Sequence, residues 1–312
     1  MTRVAAIDCG THSLRLLVAD VDPATGVLGD VRRHMEVVRL GKGVDRTGRI
    51  SSAALRRAMA VLRTYGRWCQ EAGVEQLRIV ATSASRDAAN RADFVAGVRD
   101  ILDAEPEVVS GEEEAALSFL GATAGLAGGY TPPFLVVDLG GGSTELVLGS
   151  RTVEAARSVD LGCLRMTERH LHGDPPTPAQ VETAVADIDA AIDLAARTVP
   201  LASTGTLIGL AGSVTTVTAH ALGLPGYDPG RIHGAELPVP TVRKACTELL
   251  SMSRRERSAL PYMHPGRVDV IGGGALVWRC LVDRVSAEAG IVTVVTSEHD
   301  ILDGIAWSLA CQ

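Results

Sequence analysis

The chain has 312 residues, a formal net charge of −7, and 46% hydrophobic but only 3% aromatic residues. That length exceeds what one hydrophobic core usually serves, so two domains with cores of Ala, Val, Leu and Ile are expected. The acidic balance argues against a nucleic-acid partner, no apolar run reaches membrane-spanning length, and "MTRVAAIDCG" meets Asp8 too early for a secretory signal.

Six cysteines (Cys9, Cys69, Cys163, Cys246, Cys280 and Cys311) are scattered without a CxxC pair, the pattern of free thiols in a cytoplasmic protein. All thirty basic residues except Lys42 and Lys244 are Arg. A guanidinium fork suits phosphate oxygens, though genome composition explains the bias equally well.

In chain order, "RVAAIDCG" and "SLRLLVADVD" read as strands joined by a Gly-containing turn. "DPATGVLGD" is a turn and "VRRHMEVVRL" a third strand. Residues 51–72 have helical periodicity after a Ser cap. "LRIVATSA" is strand into loop, "SRDAANRADFVAGVRDIL" one helix, and "PEVVSGEEEAALSFLGATAGLA" a short strand, a turn and a helix. "GGYTPP" is the linker signal. Beyond it, "FLVVDLGGGSTELVLG" is strand, turn, strand, and "RTVEAARSVDLG" continues the sheet. A helix spans about 178–198, "TLIGLAGS" runs from strand into loop before another helix, and "GRVDVIGGGALVWRCLVD" is a Gly-punctuated helix. "IVTVVTS" is a strand and 299–310 a final helix.

The order of elements thus begins twice. Asp8, Gly10, Ser13 and Leu16 recur at the spacing of Asp138, Gly140, Ser143 and Leu146, with Arg15 in the slot of Glu145. The repeat implies two similar α/β halves with a ligand between them. A strand ending in Asp and turning through Gly brings bare amides to an anion, because glycine lacks the obstructing Cβ and permits positive φ. Ser and Thr hydroxyls add donors, and the Asp can hold a hydrated divalent cation. Either turn alone is as readily a tight hairpin; two at matching spacing favour phosphate. Arg15 would neutralise a phosphate, and Glu145 would orient water or metal. Glu112, Glu113 and Glu114 in "SGEEEAAL" suit a helix start, but a carboxylate bordering the cleft would also serve as a base.

Across these stretches the chain resembles the exopolyphosphatase and guanosine-pentaphosphate phosphohydrolase (Ppx/GppA) family. The motifs that carry the likeness are "IDCGTHSLRL", "VRLGKGVDRTGRIS", "ATSASRDAANRADF", "VVSGEEEAALSFLG", "VVDLGGGSTELVLG", "DPPT" and "GRVDVIGGGALV", in the family's order over nearly the whole chain. The resemblance implies the actin-like ATPase superfold: two RNase H-like domains around an interdomain cleft, residues 1–127 (rejoined by 299–312) and 128–298. It also implies Mg²⁺-dependent hydrolysis of a terminal phosphoanhydride, with Mn²⁺ as an alternative ion.

By motif position the resemblance makes Glu114 the general base, with Glu145 beside it in catalysis. Phosphate falls to Gly10, Thr11, His12, Ser13, Arg15, Arg86, Gly140, Gly141, Gly142, Ser143 and Thr144, and metal to Asp8, Asp138 and Glu145. His12 stands where many members carry Asn, so the first turn gains a pH-sensitive donor. The implied substrate is inorganic polyphosphate, preferably short chains because the helical extension of longer members is not found here. The rivals are pppGpp hydrolysis with the nucleoside near residues 209–219, a sensor of guanosine tetraphosphate, and a small-molecule kinase. A homodimer is compatible with all of these; nucleic acid and membrane partners are not expected. His170 and His172 are too few for a metal site, "RRER" at 254–257 reads as a solvated helix face, and Met59, Met166, Trp68, Trp278 and Trp307 as packing residues.

Overall fold

The computed structural model describes residues 1–22, 27–124 and 129–310. Parts of the "DPATGVLGD" turn, the end of the "ATAGLA" helix, the first glycine of "GGYTPP", and Cys311 lie outside them. The chain divides into two compact units, Met1–Ala124 with Asp300–Gln312, and Gly125–His299.

The first unit opens with β1 (Thr2–Cys9), β2 (Ser13–Asp22) and β3 (Val27–Val37). Then come α1 (Val44–Thr47), α2 (Ser52–Ala72), β4 (Gln76–Ala81), α3 (Ser83–Asp87), α4 (Arg91–Leu102), β5 (Glu107–Val108) and α5 (Gly111–Ala124). The sheet runs β3-β2-β1-β4-β5: an antiparallel meander, with β4 parallel to β1 and β5 parallel to β4. That is the RNase H-like order. Strand pleating divides β1 between two cores. Ala5, Ile7 and Cys9 pack with the α2 and α4 residues Leu62, Tyr65 and Phe94; Val4 and Ala6 face the other way.

Helix α2 shows why the local sequence folds as it does. Ser51 accepts from the Ala54 amide at 3.2 Å, and Gly73 ends the helix at φ 67°. Between them Ala54, Ala58, Leu62, Tyr65 and Cys69 recur at three- and four-residue steps and are all buried. Burying a leucine such as Leu62 contributes about 2 kcal/mol. The single helix expected over 85–102 is instead two, because the chain is extended at Ala88 (ψ 126°) and restarts at Arg91.

The second unit contains β6 (Phe134–Leu139), β7 (Thr144–Gly149), β8 (Val153–Val159), α6 (Cys163–His170), α7 (Pro178–Ala196), β9 (Thr206–Leu210), α8 (Ala211–Ala221), α9 (Pro229–Ile232), β10 (Glu236–Pro238), α10 (Val239–Ser251), α11 (Arg254–Ser258), α12 (Ile271–Ala289) and β11 (Thr293–Thr296). Its order, β10-β11-β9-β6-β7-β8, repeats the first plan with one added edge strand. Trp278 and Met166 are fully buried in its core.

Helix α6 carries His170 at its end. That histidine meets Asp187 at 2.7 Å, while His172 is exposed. The 254–257 run is not wholly solvated. Arg257 is buried, its Nη1 donates to the Val268 carbonyl at 3.2 Å, and burial lowers its pKa.

Last comes α13 (Ile301–Ala310), which belongs to the first unit. Its Ile301, Leu302, Ile305 and Ala306 cover the face of the sheet carrying Val4 and Ala6. It crosses α5 backbone to backbone: a Cβ on Gly121 would lie 1.8 Å from the Asp300 carbonyl, and one on Gly304 2.0 Å from that of Leu117. Only glycine permits that approach.

Candidate active site

The repeat seen in the sequence is exact in backbone register. Asp8 pairs with Arg15 and Cys9 with Leu14 across β1 and β2; Asp138 pairs with Glu145 and Leu139 with Thr144 across β6 and β7. In the first turn Gly10 N–H donates to the Ser13 carbonyl at 3.0 Å, and in the second Gly140 N–H donates to that of Ser143 at 3.1 Å. A Cβ on either glycine would stand 3.1 Å from the same serine oxygen. Neither glycine takes a positive φ. Their role is therefore close approach, a correction to the conformational half of the glycine argument.

The turns also hold their carbonyls alike. In the first, Thr11 accepts from Gly41 N–H at 2.9 Å, and His12 from Val38 and Arg39 at 3.1 and 2.8 Å. In the second, Gly140 accepts from Cys163 at 3.0 Å and Gly141 from Leu164 and Arg165 at 2.9 and 3.1 Å, all from the start of α6. The amides of Gly141, Gly142 and Ser143 donate to no described residue. Such a run of amides is suited to an anion.

The side chains differ. Arg15 does not stand free as a phosphate clamp. Its Nε and Nη2 each lie 2.8 Å from Asp8 Oδ2, and its Nη1 bonds Asp300. Burial pushes the Asp8 pKa above its ordinary value, Arg15 pulls it back, and Asp300 raises it again. Asp300 carries no motif signal in the sequence: it caps α13 by accepting from Leu302 N–H at 3.0 Å while anchoring Arg15. Thr11 and His12 are buried, and Thr11 Oγ1 accepts from Ala84 N–H at 3.1 Å.

Glu145, 1% exposed, accepts from Ser158 Oγ at 2.7 Å. Ser158 on β8 had no motif to announce it. Thr144 is fully buried and its hydroxyl donates to the Leu161 carbonyl, so it fastens β7 to the segment before α6 and has no proton for a phosphate.

Of the three glutamates opening α5, Glu113 is exposed and pairs with Arg78 at 2.8 Å, while its amide donates to Ser110 Oγ at 3.1 Å. Glu112 is also exposed. Those two behave as a helix start requires. Glu114 turns inward, 7% exposed, and its Oε2 accepts from Arg86 Nη1 at 3.0 Å. Arg86 Nη1 also donates to the Val109 carbonyl at 3.0 Å. The first unit thus holds a buried carboxylate in a fixed orientation, with a guanidinium beside it.

Among the described residues no group of three His, Cys, Asp or Glu side chains forms a ready metal cage. The residues fit an ion that takes most of its ligands from water and phosphate, as Mg²⁺ does. Asp8 Oδ1 is buried without a hydrogen-bond partner, leaving a hard oxygen donor. Asp138 and Glu145 stand directly opposite on paired strands, where like charges repel and a cation would relieve them.

Two RNase H-like sheets, each with an amide turn built on the same register, define a phosphate-handling α/β protein of the actin-like superfold. The Ppx/GppA phosphatase family model matches residues 17–308, and the chain belongs to that family. It is 50% identical to Exopolyphosphatase 2 of Mycobacterium tuberculosis, over 99% of both chains. A crystal structure of an exopolyphosphatase-like protein superposes with a TM-score of 0.95 at 45% identity, covering 99% of each chain. The Ppx/GppA enzyme of Aquifex aeolicus gives 0.79 at 27%, covering 98% of this chain and 99% of that one. The guanosine-5'-triphosphate,3'-diphosphate pyrophosphatase of Aeromonas salmonicida is 27% identical, over 91% of this chain and 55% of its own.

Proposed function

We propose that this protein is an exopolyphosphatase that hydrolyses the terminal phosphoanhydride of inorganic polyphosphate and releases orthophosphate. The observation that carries the reading is the buried Glu114 carboxylate, oriented by Arg86, in a chain with two amide turns of one design. The 50% identity over the full length to a protein named for this activity supports it.

Glu114 accepts a proton from the attacking water, a role for which a positioned carboxylate is suited. The new P–O bond forms as the bond to the bridging oxygen breaks, and the shortened chain leaves with that oxygen. The amides of Gly141, Gly142 and Ser143 receive the charge on the phosphoryl oxygens. Arg15 keeps Asp8 and Asp300 in place, and Arg86 holds the Glu114 carboxylate in its orientation. Mg²⁺, or Mn²⁺ in its place, would neutralise phosphate charge, with Asp8 offering it an oxygen in the first unit and Asp138 and Glu145 in the second.

Phosphate release from polyphosphate, pppGpp and ATP, measured in parallel, tests the reading. Turnover of polyphosphate well above the other two is expected. Faster release from pppGpp would transfer the function to the second reading, which the Aeromonas likeness favours. Faster release from ATP would overturn both.

A further inference from the structure

We infer that Arg165 is a positioning residue for the phosphate-binding amides of the second turn, an inference that rests on the proposed phosphate chemistry. In a trans peptide the carbonyl and the following N–H point in opposite directions within one plane. Fixing three successive carbonyls therefore aims three successive amides.

Helix α6 fixes the first two planes with its backbone. Cys163 N–H holds the Gly140 carbonyl, and the Leu164 and Arg165 amides hold that of Gly141. The third plane, Gly142 to Ser143, receives no bond from the helix backbone. The Arg165 side chain supplies the missing donor: its Nε bonds the Gly142 carbonyl at 2.6 Å. The amides of Gly141, Gly142 and Ser143 are thereby turned to the side away from α6.

Close packing holds the helix against the turn. A Cβ on Gly162 would fall 2.4 Å from the Gly141 carbonyl. Arg165 is not an ordinary surface cation: its side chain is 10% exposed, and an ion pair it makes with the 76%-exposed Asp160 is long at 3.5 Å. Exposed pairs of that kind contribute little. The bond to the turn, at 2.6 Å, is much shorter than that pair, and a charged donor strengthens it. The polarised Gly142 carbonyl in turn makes the Ser143 N–H a stronger donor toward phosphate.

The test uses the full-length protein, with inorganic phosphate as the probe. Arg165→Ala is expected to weaken phosphate binding, measured by calorimetry, about 10-fold, and to lower kcat/KM on polyphosphate by at least as much. Arg165→Lys, which keeps the charge but not the fork, should fall between. Millimolar guanidinium should restore phosphate affinity to the alanine variant, which lost packing alone would not explain. Unchanged affinity in a folded Arg165→Ala, or full activity in Arg165→Lys without any rescue of Arg165→Ala, overturns the inference. If the alanine variant does not fold, Arg165→Lys decides: unchanged phosphate affinity there overturns the assignment. Phosphate binding does not depend on which substrate is hydrolysed, so weakened phosphate affinity in the variant supports Arg165 even where polyphosphate is not turned over. Conversely, an active wild type with an unaffected variant sinks Arg165 and leaves the function intact.

Discussion

The turns at residues 8–15 and 138–145 share strand register, a closing glycine-to-serine bond and inward-tied carbonyls. They differ in what stands opposite the aspartate. In the first, Arg15 meets Asp8 and Asp300, so one guanidinium offsets one of the two carboxylate charges. In the second, Glu145 meets Asp138 and the carbonyls are tied by a helix, not by the loop after β3. One backbone device thus carries two electrostatic settings. Backbone geometry decides where an anion is met, and the residue five positions after the glycine decides the charge that accompanies it.

The largest expected effect lies outside both turns. Glu114→Gln removes the proton acceptor while keeping the hydrogen-bonding shape beside Arg86, and should lower kcat by about 10²–10⁴-fold with KM little changed. Steady-state phosphate release measures this; a near-wild-type rate would show that the base lies elsewhere. Next come Gly10→Ala and Gly140→Ala, whose methyl groups face the same 3.1 Å approach. Each should cost about 1–3 kcal/mol through local displacement. If the turns share the substrate, both should raise KM. A change confined to Gly140→Ala would assign binding to the second turn alone.

Much of this architecture was legible before any coordinates. The D-x-G-x-x-S spacing is set by the hairpin register, so matching letters in two places meant matching turns. Helix α2 was legible from its Ser cap and apolar period. What remained hidden was tertiary. Asp300, Ser158 and Arg165 follow no motif spacing, because each reaches its partner across the fold: Asp300 is 285 residues from Arg15. The partners of Thr144 and Arg15 were hidden for the same reason, since a sequence shows a donor but not the acceptors around it. Helix α6 escaped notice because its eight residues are too few to show a period.

Asp300 gives the third prediction, and it separates a cap from an ion pair. Asp300→Ala removes both the Leu302 bond and the Arg15 partner, and should destabilise the protein by about 2–3 kcal/mol. Asp300→Asn keeps a capping oxygen and should lose less. Urea unfolding of the two variants measures the difference. Equal losses would show that the cap contributes nothing separable from the ion pair, and that charge alone ties α13 to the first turn.

The smallest effect has the opposite sign. Burial raises the folded-state pKa of Asp8 above its ordinary 3.8, so the folded state binds that proton more tightly than the unfolded chain does. In the window above 3.8 and up to the folded pKa, stability falls as pH rises, and the ionised carboxylate opposes folding at neutral pH. Asp8→Asn should therefore raise the Tm at pH 7, by about 1–3 °C, while Arg15 keeps its bond to Asp300. Through the loss of a proposed metal ligand the same variant should be nearly inactive, the trade between stability and function expected of a working site. As the pH falls through the folded pKa, wild-type Asp8 takes up its proton and the advantage of the variant should shrink. The difference in Tm between the two proteins, followed by calorimetry from pH 7 to pH 4, isolates Asp8 together with Asp300, which is coupled to it through Arg15. A variant less stable than wild type at pH 7 would mean that the Arg15 ion pair outweighs burial, and that the first turn, unlike the second, is held together by its charges.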